Sequence, residues 1–275
     1  MTSDVTVTVA DWIEAPVRLP DGMREFVVGD VHGLSAQLGA MLGAMGAASG
    51  GEGHLTLLGD LGDRGPDTVG SYRAAYRRPA AEMGFSGRTG LAGNHEALLK
   101  LGILGPDDQD VWPLWMQNGG RTVLAEIGCP VGGTSHDSAA GALRAALGET
   151  VCAELDRLSS HREAGNLLFV HAGVDPLQPL AAWFAKPLFW LDNEDHFAWI
   201  RFPFLGHEGP FEGDRIVVHG HTPEPIVRRW KGMDATPGQH GLDGWRLGLD
   251  GGTYTTGIVA GAEIRDGSYR IYLAA

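Results

Sequence analysis

Short apolar runs recur along the chain, and most of them stop at a small group of polar residues. Such runs occupy 26–28 (FVV), 55–58 (LTLL) and 167–170 (LLFV), and each has the length of a buried strand. Between the first two, residues 34–47 carry apolar side chains at helical spacing, despite several glycines. The pattern predicts strands that alternate with helices in the first half of the chain.

The remaining pattern extends this picture. Residues 67–79 read as a helix, 88–93 as a weaker strand that leads into a helix, and 106–165 as mostly helical. In RIVVHGHTP (215–223) a further apolar run ends in polar residues, and the tail from 245 to 274 alternates like strands joined by turns. We therefore predict an α/β sandwich of two mixed β-sheets flanked by helices. With no clear linker, residues 1–275 are predicted to form one domain with a helical insertion at about 106–165.

Charge narrows the range of partners. The 275 residues contain 21 Lys and Arg against 34 Asp and Glu, a formal charge of −13. Nucleic acids and anionic membranes bind basic protein surfaces, which an acidic chain lacks, so we expect neither as a partner. If the substrate is anionic, local cations must bind it, and metal ions are the first candidates.

Few features point to a secreted or membrane protein. Cys129 and Cys152 are the two cysteines and form no CxxC motif, so neither a disulfide framework nor a thiolate metal site is indicated. The N-terminus does not read as a secretory signal, and no apolar stretch reaches membrane-spanning length. We expect a cytoplasmic protein.

Five predicted strands end in residues that can bind metal. The five sequences are GDVHG (29–33), GDLGDRG (59–65), GNHE (93–96), HAG (171–173) and HGH (219–221). In α/β folds the loops at the carboxyl ends of strands converge on one crevice. Asp, His and Asn without Cys form a ligand set that suits Mn, Fe, Zn, Mg or Ni. The sequence thus predicts a metal site.

The five motifs, in this order, resemble the calcineurin-like metallophosphoesterases, and most closely their phosphoprotein phosphatase branch. Two further segments, WMQNGGRTVL (115–124) and FAWIRFPFL (197–205), are similar to the bacterial group that includes the phage lambda phosphatase. The resemblance implies the four-layer sandwich of that superfamily. It also implies a hydrolase that uses a dinuclear metal centre.

Metal ligands follow from the resemblance by position. One ion would be bound by Asp30 and His32, the other by Asn94, His171 and His221, and Asp60 would bridge the two. Two divalent ions, Mn foremost among the candidates, would lower the pKa of a shared water and generate the hydroxide that attacks phosphorus. His219 remains open, because some members of the superfamily bind metal with both histidines of this motif.

The same resemblance implies roles around the metals. His95 would be the general acid that protonates the leaving oxygen, and Asp63 would hold its other ring nitrogen. Arg64 and Arg201 would bind phosphate oxygens through their planar guanidinium groups, and Asn118 is a further candidate to line the site.

The substrate is less constrained than the reaction. A Ser/Thr-type protein phosphatase acting on phosphorylated proteins, peptides or small phosphoesters is the first prediction. A symmetrical diadenosine tetraphosphate hydrolase is the alternative, and a non-catalytic scaffold is a minor one, because each expected metal ligand and the acid histidine are present. Native metals and oligomeric state stay open.

Overall fold

The computed structural model describes residues 5–105, 110–130, 132–191 and 195–275. Within these ranges the strands, in chain order, are β1 (Val7–Val9), β2 (Ile13–Glu14), β3 (Arg24–Val28), β4 (His54–Leu57), β5 (Gly87–Gly90), β6 (His161–Ala164), β7 (Leu167–Val170), β8 (Ile216–His219), β9 (Leu242–Asp243), β10 (Arg246–Gly248), β11 (Val259–Arg265) and β12 (Ser268–Ala274). The α-helices are α1 (Ser35–Ser49), α2 (Thr68–Tyr76), α3 (Asn94–Gly102), α4 (Val111–Trp115), α5 (Arg121–Glu126), α6 (His136–Leu147), α7 (Glu149–Leu155), α8 (Leu180–Trp183), α9 (Glu224–Trp230) and α10 (Thr253–Thr256).

The strands form two mixed sheets. The first has the order β1-β12-β11-β3-β4-β5, with β2 also paired to β12, and its β3, β4 and β5 run parallel. The second has the order β6-β7-β8-β10-β9, with β7, β8 and β10 parallel. Parallel strands are covered on both faces, which explains why β7 (LLFV) and β8 (IVVH) are nearly continuous apolar runs.

Three apolar clusters hold the layers together. One lies between the sheets and contains side chains of both, among them Val27 of β3 and Phe169 of β7. A second packs the outer face of the first sheet against α1 and α2, and a third packs the second sheet against α8 and α9. This four-layer arrangement confirms the predicted α/β sandwich of two mixed sheets flanked by helices.

Glycine allows α1 to pack closely. A Cβ on Gly46 would lie 2.0 Å from the carbonyl oxygen of Met83, so only glycine lets the helix approach the 3₁₀ turn Ala80–Met83. The glycines that interrupt the helical pattern thus include one that the packing requires.

The predicted helical insertion differs from the structure at its end. Helices α4 to α7 and a π-helical turn at Met116–Gly120 lie within it, whereas residues 161–164 form β6 at the edge of the second sheet. Only Ala164 of β6 is buried, so this strand has no apolar run to reveal it. Residues 106–109 and 131 of the insertion lie outside the described residues, and the domain assignment stays a prediction. No helix in the described ranges is long and apolar enough to cross a membrane.

Candidate active site

The predicted metal ligands follow strands of both sheets. Asp30 and Asp60 come two or three residues after β3 and β4, and Asn94 opens α3 shortly after β5. His171 directly follows β7, and His221 comes two residues after β8. All six predicted ligands are buried: Asp30, His32, Asp60, Asn94, His171 and His221. Parallel strands therefore deliver them to a common edge of the sandwich.

Asp60 lies at the centre of this group. Its Oδ2 is 3.8 Å from Nε2 of His32, and its Oδ1 is 3.4 Å from Nε2 of His171. Asp30 completes the first side, since its Oδ2 is 3.9 Å from Nε2 of His32. The two oxygens of one carboxylate thus face two separate sets of donor atoms.

The second set converges on Asn94. Its Oδ1 is 3.1 Å from Nε2 of His171 and 2.8 Å from Nδ1 of His221. Helix α3 begins at Asn94, so this oxygen is carried by the first residue of the helix. Asn94, which follows β5, thus contacts the two histidines that follow β7 and β8.

Backbone carbonyls fix two of the histidines. His32 donates Nδ1–H to the carbonyl oxygen of Gly62 at 3.0 Å, and His171 donates Nδ1–H to that of Leu58 at 2.9 Å. In both rings Nε2 is then the nitrogen that faces Asp60. Such an outer hydrogen bond sets the tautomer of a metal-binding histidine.

The electrostatics of the cluster fit cations. Burial, together with the carboxylate of Asp250, raises the pKa of Asp30 well above its ordinary value. Burial lowers the pKa of His32 to about 3, whereas for His171 the carboxylates of Asp60 and Asp30 outweigh burial and raise its pKa to about 10. The buried carboxylates of Asp30 and Asp60, with the Nε2 atoms of His32 and His171 close to them, form a donor set that two divalent cations would satisfy.

The backbone of the site is strained. Six described non-glycine residues have positive φ, and only Asp214 lies outside the site. The other five are His32 (φ 45°), Asp60 (53°), Asp63 (63°), Arg64 (68°) and His221 (65°). Left-handed conformations cost side-chain-bearing residues free energy and persist where the surrounding structure imposes them. In addition, a Cβ on Gly220 would lie 2.0 Å from Oδ1 of Asp30, so the site requires glycine there.

His95 lies beside the donor cluster and is held by Asp63. Its Nδ1 is 2.8 Å from Oδ2 of Asp63, and the Nε1–H of Trp115 donates to Oδ1 of the same carboxylate at 3.0 Å. The Nε2 of His95 is buried without a hydrogen-bond partner in the structure. By distance alone His95 also groups with His32 and Asp60 as a set that could bind metal.

The predicted phosphate-binding residues line a cavity of about 490 Å³ next to the cluster. Arg64, Arg201 and Asn118 belong to its wall, together with Asp60. Arg64 donates from Nη1 to Nε2 of His32 at 3.1 Å, and Asn118 donates its side-chain amide to the carbonyl oxygen of Leu114 at 2.9 Å. The cavity has the size of a small-molecule site.

His219 lies apart from both donor sets. Its ring is buried, with Nδ1 3.0 Å from the carbonyl oxygen of Gly220, and it packs edge-on against Phe204 at a centroid distance of 4.9 Å. Burial lowers its pKa to about 3. Its contacts are those of a packing residue.

Three residues of the site were not assigned to it from the sequence. Glu96, the last residue of GNHE, accepts hydrogen bonds from the backbone of Asp60 at 2.7 Å and of Leu61 at 3.0 Å. Asp250 is buried beside Asp30, and Tyr254 lines the cavity. A signal for Asp250 does exist, because LGLDGG at 247–252 repeats the pattern of a strand that stops at Asp and Gly.

Comparison with known proteins adds to this geometry. The family model described as calcineurin-like phosphoesterase matches residues 23–250. A solved structure named "putative diadenosine tetraphosphatase" superposes with a TM-score of 0.53 and 23% identity, covering 92% of this chain and 94% of its own. The cold-active protein-tyrosine phosphatase of a psychrophilic Shewanella superposes with a TM-score of 0.52 and 15% identity, covering 91% and 79%. Both share the fold of this chain. No curated protein matches the sequence.

Proposed function

The chain belongs to the calcineurin-like phosphoesterase family and is a hydrolase, and we propose that it is a two-metal phosphatase that cleaves phosphomonoesters, those of serine and threonine side chains first among them. The observation that carries the proposal is the position of Asp60. Its two carboxylate oxygens face separate donor sets, at the edge of a cavity that two arginines line.

The residues present fit two divalent cations. Asp30 and His32 would hold one, Asn94, His171 and His221 the other, and Asp60 would bridge them. Bound there, the cations would lower the pKa of a water molecule and withdraw electron density from the phosphoryl group. Mn²⁺ is our first candidate, with Fe, Zn, Mg and Ni as the others to compare.

Arginine side chains orient the phosphate in this proposal. Arg64 and Arg201 line the same cavity, and each guanidinium can donate two parallel hydrogen bonds to phosphate oxygens. In the structure Nη1 of Arg64 contacts Nε2 of His32, a nitrogen that we assign to metal binding. Arg64 must therefore turn toward the phosphate when a cation binds His32.

His95 supplies the proton for the leaving group. Nε2 of His95 is buried without a partner, and Nδ1–H donates to Asp63, so the imidazolium can release a proton only from Nε2. Water attacks phosphorus, the bond to the ester oxygen breaks, and the Nε2 proton passes to that oxygen, which leaves as an alcohol. The attacking water gives up one proton to solvent, and its oxygen stays on the phosphate product. Trp115 keeps Asp63 in place through the second carboxylate oxygen.

A contact of the 115–124 segment supports the protein phosphatase candidate. This segment, which resembles bacterial phosphatases in sequence, packs directly on the turn that carries Asp63 and Arg64. A Cβ on Gly119 would lie 2.5 Å from the backbone nitrogen of Arg64. The segment therefore helps to shape the proposed phosphate site.

A second candidate is symmetrical hydrolysis of diadenosine tetraphosphate. Trp230 and Tyr254 line the cavity with 54% and 53% of their surface exposed. Exposed aromatic rings beside an anion site suit a substrate with planar bases. The similar structure named as a diadenosine tetraphosphatase covers nearly the whole of both chains.

One experiment separates the candidates. Turnover of p-nitrophenyl phosphate, a phosphoserine peptide and diadenosine tetraphosphate is measured with added Mn²⁺ and again after chelation. We expect metal-dependent hydrolysis of the first two substrates. Exclusive hydrolysis of the dinucleotide would favour the second candidate, and no hydrolysis of any would mean a non-catalytic scaffold.

A further inference from the structure

Two exposed aromatic rings lie together beside the proposed phosphate site. Phe202 and Trp230 each expose 54% of their surface, and their ring centroids are 5.6 Å apart with the planes tilted by 38°. We call this pair the aromatic platform. Phe202 directly follows Arg201, so one ring is one residue away from a proposed phosphate ligand. Large apolar side chains that stay exposed next to a polar cavity mark a binding surface.

Trp230 separates two cavities. On one side lies the cavity of the metal cluster, which Ile226 of the same helix also lines. On the other lies an outer cavity of about 340 Å³, lined by both rings of the platform and by Val227. Ile226 and Val227 precede Trp230 by four and three residues, the spacing that places side chains next to each other along a helix. Helix α9 thus forms a wall shared by both cavities.

The outer cavity combines ring faces with polar groups. Glu208 and Lys231 line it beside the two rings, and Lys231 also pairs with Asp243. A carboxylate and an ammonium can accept and donate hydrogen bonds at the edge of a heterocycle, while Trp and Phe supply faces for stacking. This is the chemistry that recognises an unstacked nucleobase.

We propose that the aromatic platform binds the base of a nucleotide substrate whose phosphate lies between Arg64 and Arg201. The inference rests on the hydrolase function proposed above, and it concerns the nucleotide substrates that the second candidate would take. A nucleotide differs from phosphotyrosine in the distance between its phosphate and its ring. In phosphotyrosine the ring is attached directly to the ester oxygen, so it would stay in the cavity of the metal cluster. In a nucleotide, a ribose separates the phosphate from the base, which can then reach past Trp230.

The test compares two competitors of p-nitrophenyl phosphate hydrolysis. Adenosine 5′-monophosphate and ribose 5-phosphate carry the same phosphate and sugar, and only the first carries a base. In the unaltered protein we expect the nucleotide to bind about tenfold more tightly, in line with the stacking of one base on aromatic side chains. Trp230→Ala and Phe202→Ala should each bring the ratio of the two inhibition constants close to one, and Trp230→Phe should preserve most of it.

Trp190 offers a matched control, because it is also an exposed tryptophan and lines neither cavity. Trp190→Ala should leave the ratio unchanged. A ratio near one in the unaltered protein, or equal weakening of both competitors by Trp230→Ala, would overturn the inference. The inference would also be overturned if a platform variant weakened only the binding of a phosphopeptide, since the platform would then bind a protein side chain. If p-nitrophenyl phosphate is not hydrolysed, the proposed function fails, and calorimetric binding of the two competitors still tests the platform.

Discussion

Replacing Asp63 by Asn tests the proposed general acid most directly. Both carboxylate oxygens of Asp63 accept hydrogen bonds, one from His95 at 2.8 Å and one from Trp115 at 3.0 Å. An asparagine has one oxygen, so in either orientation its NH₂ group faces an N–H donor. The carboxamide is also neutral, so it cannot stabilise by charge the doubly protonated His95 ring, whose Nε2–H is the proton that is transferred.

The size of the effect follows from these contacts. Losing a hydrogen bond to a charged group costs about 1.5–3 kcal/mol, which corresponds to roughly 10- to 150-fold in rate. General acid catalysis contributes about 10²- to 10⁴-fold, so the two estimates overlap near a hundredfold. We expect Asp63→Asn to lower kcat about a hundredfold for an alkyl phosphate, whose leaving oxygen needs the proton. For p-nitrophenyl phosphate, whose phenolate leaves without one, the fall should be much smaller.

The assay is a series of aryl and alkyl phosphates that spans a wide range of leaving-group pKa, with bound metal measured in parallel. The logarithm of kcat should depend more steeply on leaving-group pKa in Asp63→Asn than in the unaltered protein, at equal metal content. Asp11→Asn, at an exposed aspartate, is the control. An equal fall for every substrate, or loss of metal, would refute the reasoning and would assign His95 to metal binding.

Three further substitutions test the surroundings of the site. Glu96→Gln removes a buried carboxylate that accepts four hydrogen bonds, including those from Asp60 and Leu61. It should lower the free energy of unfolding, measured by urea titration, by about 3 kcal/mol. An effect no larger than that of Glu52→Gln, at an exposed glutamate, would contradict this. Gly220→Ala drives a Cβ against Oδ1 of Asp30 and should reduce bound metal at equilibrium dialysis, whereas full metal occupancy would show that the loop adapts. Burial raises the pKa of Glu224 from 4.5 to about 7, so the native state binds more protons than the unfolded state between these pH values, and stability falls as pH rises through them. Glu224→Gln should reduce this pH-dependent loss of stability by about 2–3 kcal/mol, measured from urea unfolding at pH 5 and pH 8 in the presence of chelator. If the difference between the two pH values is unchanged, a group other than Glu224 binds the proton.

The positions of the motifs were predictable because the signal is local. Four of the five motifs come directly after a buried apolar run, as GDVHG follows the run 26–28 and HAG follows β7, and short runs that stop at polar residues are readable in one sequence. The pairing of the strands is not local. The packing of the two sheets brings His171 and His221 of the second sheet to Asn94 of the first. No spacing along the chain predicts this contact.

What the sequence did not reveal has a physical reason in each case. Asp250 follows β10, a strand of three residues, so the signal in LGLDGG is shorter than that of the other motifs. Glu96 lies in the predicted motif, yet its hydrogen bonds reach back to residues 60 and 61 through the fold. The aromatic platform joins Phe202 to Trp230 across a gap of nearly thirty residues, so only the folded structure places its rings together.

The proposed metal ligands come from both sheets, so a metal centre here would be a crosslink as well as a catalyst. A cation held by Asp60, Asn94, His171 and His221 would tie loops that follow β4 and β5 to loops that follow β7 and β8, and so close long loops of the chain. Such a tie stabilises the folded state by restricting the unfolded chain and by adding the free energy of binding. Slippage of one sheet against the other would in turn separate the ligands, so the apolar layer between the sheets sets the geometry of the reaction.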